Sequence, residues 1–254
     1  MALLFALTLF VSATLLFVVQ PMAGRMLLPL LGGSPAVWNT CLVFFQGVLL
    51  LGYLYAHLAT RRLPLRLQAA LHVGFVVAAF FALPISIDRG LTPRNDYPVA
   101  WLLGVLILHV GFPFFVVSTT APLLQRWFSA TGHRSARDPY FLYAASNLGS
   151  LLALAAYPFL IEPEWTPTEQ SRFWQFGYAG LGILIAVCAL TVPSRHPTDS
   201  AAATTSWANR RCWMLRAFIP SSLLLGVTTH LTTDVAPIPL LWVVPLGIYL
   251  LTFI

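Results

Sequence analysis

Charged residues are scarce in this 254-residue sequence, at 9% of the chain, and lysine is missing altogether. A soluble domain usually carries about 25% charged residues. Hydrophobic residues make up 58% of this chain, so a soluble fold of its size would lack the polar side chains to cover its surface. The scarcity of charge therefore excludes a soluble protein and predicts an integral membrane protein whose first partner is the lipid bilayer.

Cysteines and acids are also few. The three cysteines, Cys41, Cys188 and Cys212, are far apart and show no CxxC spacing, which argues against a disulfide framework or a metal site. The chain has eight acids, and it lacks a Walker-type phosphate loop, an HExxH motif and a GxSxG motif. No catalytic residue, metal site or cofactor is evident, and packing is the expected role of the cysteines.

Long apolar runs dominate what is present. A membrane-spanning helix needs about 20 apolar residues, and this rule predicts an all-α transmembrane bundle of seven to eight spans. The spans are predicted near residues 2–20, 36–58, 67–87, 99–120, 140–160, 173–193 and 213–232, and an eighth is predicted to begin near Pro239 and to be incomplete at Ile254. The first run has no basic residues before it and exceeds a signal-peptide core, so we expect a retained helix.

The chain is predicted to divide into three parts. Residues 1–193 form a bundle of the first six spans, and residues 194–211, rich in small and polar residues, form a cytoplasmic linker. Residues 212–254 hold the seventh span and the beginning of the eighth.

The arginines predict the orientation. Ten of the 14 lie in the loops after predicted spans two, four and six. By the positive-inside rule these loops and the N-terminus are cytoplasmic. Because the arginines alternate with apolar runs, the net charge of +6 indicates orientation and no nucleic-acid partner.

The stretch from Gln20 to Pro35 is apolar but contains three prolines and three glycines. Irregular backbone at membrane depth is tolerated only where protein or water covers it. We therefore expect the first span to end near Gln20, followed by a short half-helix over Met26–Leu31 at the outer face.

Predicted span five begins with an unusually polar sequence, "DPYFLYAASNLGS". Asp138 followed by Pro139 predicts a helix start, with the acid as N-cap and proline at the first helical position. Beyond it, Tyr143, Asn147 and Ser150 recur at helical spacing and share a face. Two interpretations stay open, namely packing between helices with Asn147 as a polar contact, or a polar lining for a cavity or ligand.

A neighbouring face of the same span carries Ala145, Gly149 and Ala153 at intervals of four residues. Small residues at this spacing let a second helix approach closely. The pattern predicts that span five lies inside the bundle.

Four more polar positions stand out. His230 and Asp234 are four residues apart near the end of span seven, which favours either a charged pair or proton relay, or capping at the interface. His72 and His109, in spans three and four, are expected to be neutral, hydrogen-bonded core histidines.

Span four contains Pro113 and Pro122, each of which bends or breaks a helix. Ser118, Thr119 and Thr120 are positioned to satisfy the carbonyl groups that the prolines free. We expect a kinked helix beside span five.

Four segments together resemble a known family. They are "FVVQPMAGRMLLPLLGGSPAVWNT", "STTAPLLQRWF", "DPYFLYAASNLGSLLALAAYPFLIEP" and "LTTDVAPIPLLWVVPLGIYLLTFI". In this order they look like the membrane portion of bacterial spermidine-synthase-like proteins, which are labelled as fused transporter/spermidine synthases. The resemblance covers nearly the whole chain, and it implies a location in a bacterial inner membrane.

The resemblance implies a membrane domain followed by a cytoplasmic Rossmann-like aminopropyltransferase-type domain that binds decarboxylated S-adenosylmethionine and a polyamine. That domain would lie beyond Ile254, and no catalytic residue is carried over. The expected function is a non-catalytic membrane domain that anchors or assists such a protein. The alternatives are an accessory subunit packed against other membrane subunits or a second copy, and a carrier for a polyamine-type solute.

Overall fold

The computed structural model describes residues 1–88, 90–92, 97–193, 206–231, 243–252 and 254. Every regular element within these ranges is helical. The helices are α1 (Ala2–Leu31), α2 (Pro35–Arg62), α3 (Leu65–Phe80), α4 (Pro98–Ala130), α5 (Tyr140–Glu164), α6 (Pro167–Leu190), α7 (Trp207–His230) and α8 (Val243–Leu251). A short 3-10 turn, Arg134–Arg137, connects α4 to α5.

Six of the helices are long and apolar enough to cross a membrane: α1, α2, α4, α5, α6 and α7. Helix α3, with 16 residues, is a shorter apolar helix, and the described part of α8 has nine residues. The predicted all-α class is confirmed, and the helices are compatible with a multi-pass membrane protein. Within the described ranges six helices of spanning length are found, where the sequence predicted seven to eight.

Helix α1 is longer than predicted, and the expected break after Gln20 is wrong. One helix continues to Leu31 with Pro21 and Pro29 inside it, so no separate half-helix forms over Met26–Leu31. Met22 is fully buried here. Pro21 is buried as well, so protein covers the helix around the first proline, as such backbone requires in a membrane, whereas Pro29 is exposed.

Helix α4 also extends beyond its predicted end at residue 120. It passes through Pro122 and continues to Ala130. A π-helical segment, Ile107–Gly111, ends two residues before Pro113, and a second one, Tyr157–Ile161 in α5, contains Pro158. A proline ring clashes with the carbonyl four residues earlier. For Pro113 this carbonyl belongs to His109, inside the wider π turn, and the helix continues past the ring.

The predicted start of α5 is wrong in detail. Asp138 is the residue that closes the 3-10 turn, and its N–H donates to the Ser135 carbonyl at 3.3 Å. The helix begins at Tyr140 with Pro139 as N-cap and without a side-chain cap. Asp138, which was expected to cap α5, thus belongs to the end of the 3-10 turn.

Two further helices begin earlier than predicted. Helix α6 starts at Pro167, since Thr166 and Glu169 form a reciprocal capping box before it. Helix α7 starts at Trp207, capped by the Ser206 hydroxyl. The last five residues of the predicted linker, 207–211, are therefore helical.

Helix α1 lies at the centre of the bundle and packs against α4, α5 and α6. Helix α3 packs against α4 and α6, α8 packs against α5, and α7 contacts α8. Aromatic side chains of α6 reach across these contacts, since Trp174 Nε1 donates to the Leu15 carbonyl at 2.9 Å and Tyr178 Oη to the Val76 carbonyl at 3.2 Å. Helix α6 thereby holds both α1 and α3.

Arg25 joins α1 to the last turn of α5. Its Nη1 donates to the carbonyl of Glu162 and to that of Trp165, the latter at 3.2 Å. The final carbonyls of a helix have no partner within the helix. A cation near them also interacts favourably with the negative end of the helix dipole. The Arg25 guanidinium therefore caps the C-terminus of α5.

Replacing Arg25 with methionine is expected to lower the unfolding free energy by about 1–3 kcal/mol, because the carbonyls of Glu162 and Trp165 lose their charged donor. Thermal unfolding in detergent and amide hydrogen exchange of residues 161–166 measure the effect. Arg172→Met is the matched control, since Arg172 is exposed at the same end of the bundle. Equal stabilities of the two variants would contradict the role of Arg25.

Candidate functional site

The polar face predicted on α5 is divided by the fold. The Ser150 side chain is buried and donates to the Ser146 carbonyl of its own helix at 3.0 Å. Tyr143 is 49% exposed, and Asn147 is half-buried without a hydrogen bond to any described residue. These three side chains therefore do not form one enclosed polar lining within the described part of the chain.

The small-residue face of α5 packs as predicted. A methyl group added at Gly149 would overlap the Phe10 carbonyl oxygen of α1 and lie 3.1 Å from Thr14 Oγ1. The Thr14 hydroxyl is also 3.3 Å from the Gly149 carbonyl, and Ala153 is buried one turn later. The close approach of a second helix is thus confirmed, and that helix is α1.

The predicted pair of His230 and Asp234 is only partly in view. His230 is the last residue of α7 and is exposed. Asp234 lies outside the described residues, so the pair stays a prediction.

A compact group of buried polar side chains lies instead where α3 meets α4. His72, Thr119 and Thr120 are all fully buried, and we call these three residues the His72 cluster. The Nε2 atom of His72 is 3.2 Å from Thr120 Oγ1, and its Nδ1 atom is 3.4 Å from Thr119 Oγ1. Both ring nitrogens thus have a hydroxyl partner.

The hydrogen bonds of the two threonines accommodate a neutral imidazole. Thr119 Oγ1 donates to the Val116 carbonyl at 2.8 Å, which leaves its oxygen free to accept from the Nδ1–H of His72. Thr120 Oγ1 has two acceptors within reach, the Val116 carbonyl at 3.1 Å and Nε2 of His72 at 3.2 Å. A neutral imidazole has one donor and one acceptor nitrogen, which matches this arrangement. The expectation of a hydrogen-bonded core histidine is confirmed for His72.

Three helices form the surroundings of the cluster. On α2, a methyl group at Gly52 would overlap Ser118 Oγ and meet Thr119 Cγ2 at 3.3 Å, so α2 and α4 are in close contact. On α4, the Trp127 ring stands edge-on to the His72 ring, with 5.9 Å between their centroids. The run Ser118–Thr120 also donates to carbonyls of its own helix, as expected for a proline-containing segment.

The sequence analysis singled out each residue of this cluster but did not predict that they are in contact. His72 and the hydroxyl run at 118–120 are 46 or more residues apart in the chain, and no local pattern pairs them. The available signal was a triplet of hydroxyl residues within an apolar run, which marks a helix segment that needs polar partners.

His109 differs from the expectation. It is half-buried in the π-helical segment of α4 and lines a surface groove of about 460 Å³ together with Tyr97 and Trp101. It is therefore not a core histidine. Helix α4, expected beside span five, packs mainly against α1, α2 and α3, and its Phe128 touches Phe141 near the start of α5 at 5.5 Å between ring centroids.

Among the described residues, no group of three or more His, Cys, Asp or Glu side chains is placed to hold a metal ion. Comparison of the chain with protein-family models, curated proteins and solved structures finds no match. In the His72 cluster the polar groups bind one another across α3 and α4. This arrangement holds helices together at a defined register.

Proposed function

We propose that the chain is a non-catalytic membrane domain that anchors or assists a spermidine-synthase-like protein. The observation that carries this proposal is the use of the buried polar groups. The buried residues His72, Trp174 and Tyr178 and the half-buried Thr14 each bond to another helix. Such bonds suit a rigid anchor, because polar side chains inside a membrane are stabilising when they join neighbouring helices.

The segments that carry the family resemblance also contain helix-contact residues. "STTAPLLQRWF" holds Thr119, Thr120 and Trp127, which surround His72. "DPYFLYAASNLGSLLALAAYPFLIEP" holds Gly149, which contacts α1. The resemblance thus involves residues that specify the packing of the bundle, and this supports a shared membrane domain.

The orientation that we propose places the N-terminus and the arginine-rich loops in the cytoplasm of a bacterial cell. Helices α3 and α4 run in opposite directions, since Phe75 contacts Phe112 whereas His72 contacts Trp127. Arg66 at the start of α3 and Arg126 near the end of α4 therefore lie toward the same end of the bundle. This clustering is typical of a cytoplasmic face.

The test is to read the gene beyond the codon for Ile254 and to express the complete reading frame. We expect a Rossmann-like aminopropyltransferase-type domain to follow, and we expect it to sediment with membranes only when residues 1–254 precede it. The domain expressed alone is the control. A reading frame without such a domain, or a domain that binds membranes equally well alone, would disprove the anchor.

One observation favours the alternative of an accessory subunit. Helix α7 has no buried residue in the described structure, and large apolar side chains such as Phe218, Leu223 and Leu225 are more than 60% exposed. Lipid can cover apolar side chains in a bilayer, but a helix without a buried residue also leaves most of its surface available to a second membrane protein or a second copy. Purification in mild detergent distinguishes the two proposals, because a chain that always elutes alone rules out the subunit role.

A further inference from the structure

Among the described residues three buried side-chain atoms have no hydrogen-bond partner, namely Tyr55 Oη on α2, Gln68 Oε1 on α3 and Trp127 Nε1 on α4. The latter two belong to the contact of α3 with α4, where the Trp127 ring touches His72. Gln68 is 1% exposed and Trp127 is fully buried. The amide nitrogen of Gln68 donates to the Leu63 carbonyl at 2.8 Å, which defines which atom of the amide is the unpaired oxygen. Of the two unpaired atoms at this contact, one is an acceptor and the other is a donor.

Gln68 and Trp127 lie toward the same end of the contact between α3 and α4. Gln68 precedes His72 by one helical turn, so both side chains share a face of α3. Phe75 follows His72 in α3 and contacts Phe112 of α4, with 6.3 Å between ring centroids. This pair lies toward the other end of the interface between the two helices. Because α3 and α4 are antiparallel, the turn that carries Gln68 faces the part of α4 that carries Trp127.

Leaving either buried atom without a hydrogen bond would lower the stability of the bundle, and buried polar groups are almost always hydrogen-bonded. Bulk water does not reach the interior of a membrane bundle. The two atoms do not bond directly to each other, because neither Gln68 Oε1 nor Trp127 Nε1 has a hydrogen-bond partner. One enclosed water satisfies both, because it accepts from an N–H and donates to a carbonyl oxygen.

We propose that a single water molecule is enclosed between α3 and α4, accepting from Trp127 Nε1–H and donating to Gln68 Oε1. This site extends the polar contact between the helices by one turn beyond His72. An ion is a poor occupant, because the two atoms that face it carry no charge. The proposal concerns the interior of the bundle and is independent of the proposed anchoring function.

The test is solution NMR of the protein in detergent micelles with 15N-labelled tryptophan side chains. We expect the indole N–H of Trp127 to show a cross-peak to a long-lived water, and we expect Gln68→Met to remove this cross-peak and shift the indole resonance. Trp127→Phe assigns the resonance by its loss. If that variant does not fold, correlation of the indole with its backbone in 13C,15N-labelled protein assigns it.

Two controls are built into the molecule. Trp174 is equally buried, but its Nε1 donates directly to the Leu15 carbonyl, so its N–H should show no water cross-peak. Gln20→Met removes a glutamine whose amide bonds to the Leu16 carbonyl of α1 at 3.2 Å, and it should leave the Trp127 resonance unchanged. A Trp127 N–H without a water cross-peak overturns the proposal, and a cross-peak to the Gln68 side chain in its place would show a direct bond.

Discussion

Replacing Gly149 with alanine is expected to lower the unfolding free energy of the bundle by about 1–3 kcal/mol. The added methyl group would overlap the Phe10 carbonyl oxygen, which belongs to the backbone of α1 and cannot rotate away. Relief of the overlap requires α1 and α5 to separate. This separation would also lengthen the contact between the Thr14 hydroxyl and the Gly149 carbonyl.

Chemical or thermal unfolding in detergent measures this effect, with helical content followed by circular dichroism. Gly74→Ala and Gly180→Ala are matched controls, because both glycines are helical and a methyl group there meets no atom within 4 Å. Alanine is a better helix former than glycine, so we expect these variants to equal or exceed the parent in stability, by up to about 1 kcal/mol. If Gly149→Ala behaves as they do, α1 and α5 are not in contact at this position.

The second large effect is expected at the His72 cluster. Replacing both Thr119 and Thr120 with valine should lower the unfolding free energy by about 1–3 kcal/mol, because a buried imidazole then has an unpaired N–H and an unpaired nitrogen acceptor. Valine closely matches threonine in shape, so the loss reports the missing hydroxyl groups. Urea or thermal unfolding in detergent measures it.

Adding His72→Leu to this double variant should restore part of the stability, because replacing both partners of a buried hydrogen bond with apolar groups is less costly than removing one. Thr40→Val is the control, since Thr40 is a half-buried helical threonine whose hydroxyl bonds only to its own helix, at 2.8 Å. A double variant as stable as this control would contradict the hydrogen bonds of His72. A triple variant less stable than the double variant would show that packing of the imidazole matters more than its hydrogen bonds.

The comparison of sequence and structure is clearest at the helix ends. Apolar runs predicted the position of each long helix, yet the ends of α1 and α4 were placed about ten residues too early, at residues 20 and 120. Both errors come from proline. A proline inside a helix removes one hydrogen bond and crowds a carbonyl, and whether the helix continues depends on what covers the freed groups, which the local sequence does not contain.

Small residues were more informative than polar ones. Ala145, Gly149 and Ala153 predicted a close helix contact, because a helix surface with only small side chains lets the backbone of a second helix approach closely. Tyr143, Asn147 and Ser150 shared a predicted face, but the fold exposes Tyr143 and buries Ser150. A polar side chain near a helix end can face lipid headgroups, water or protein, and spacing alone does not distinguish these surroundings.

By itself, the sequence determined the helical, membrane-type class, since a backbone surrounded by hydrocarbon must satisfy its hydrogen bonds within each helix. It also determined the face of α5 that packs against another helix. The tertiary structure decided that α1 occupies the centre, that its partner at Gly149 is α5, and that His72 meets Thr119 and Thr120. These contacts join segments that are 47 to 135 residues apart, and they depend on how whole helices pack, which no local pattern of residues encodes.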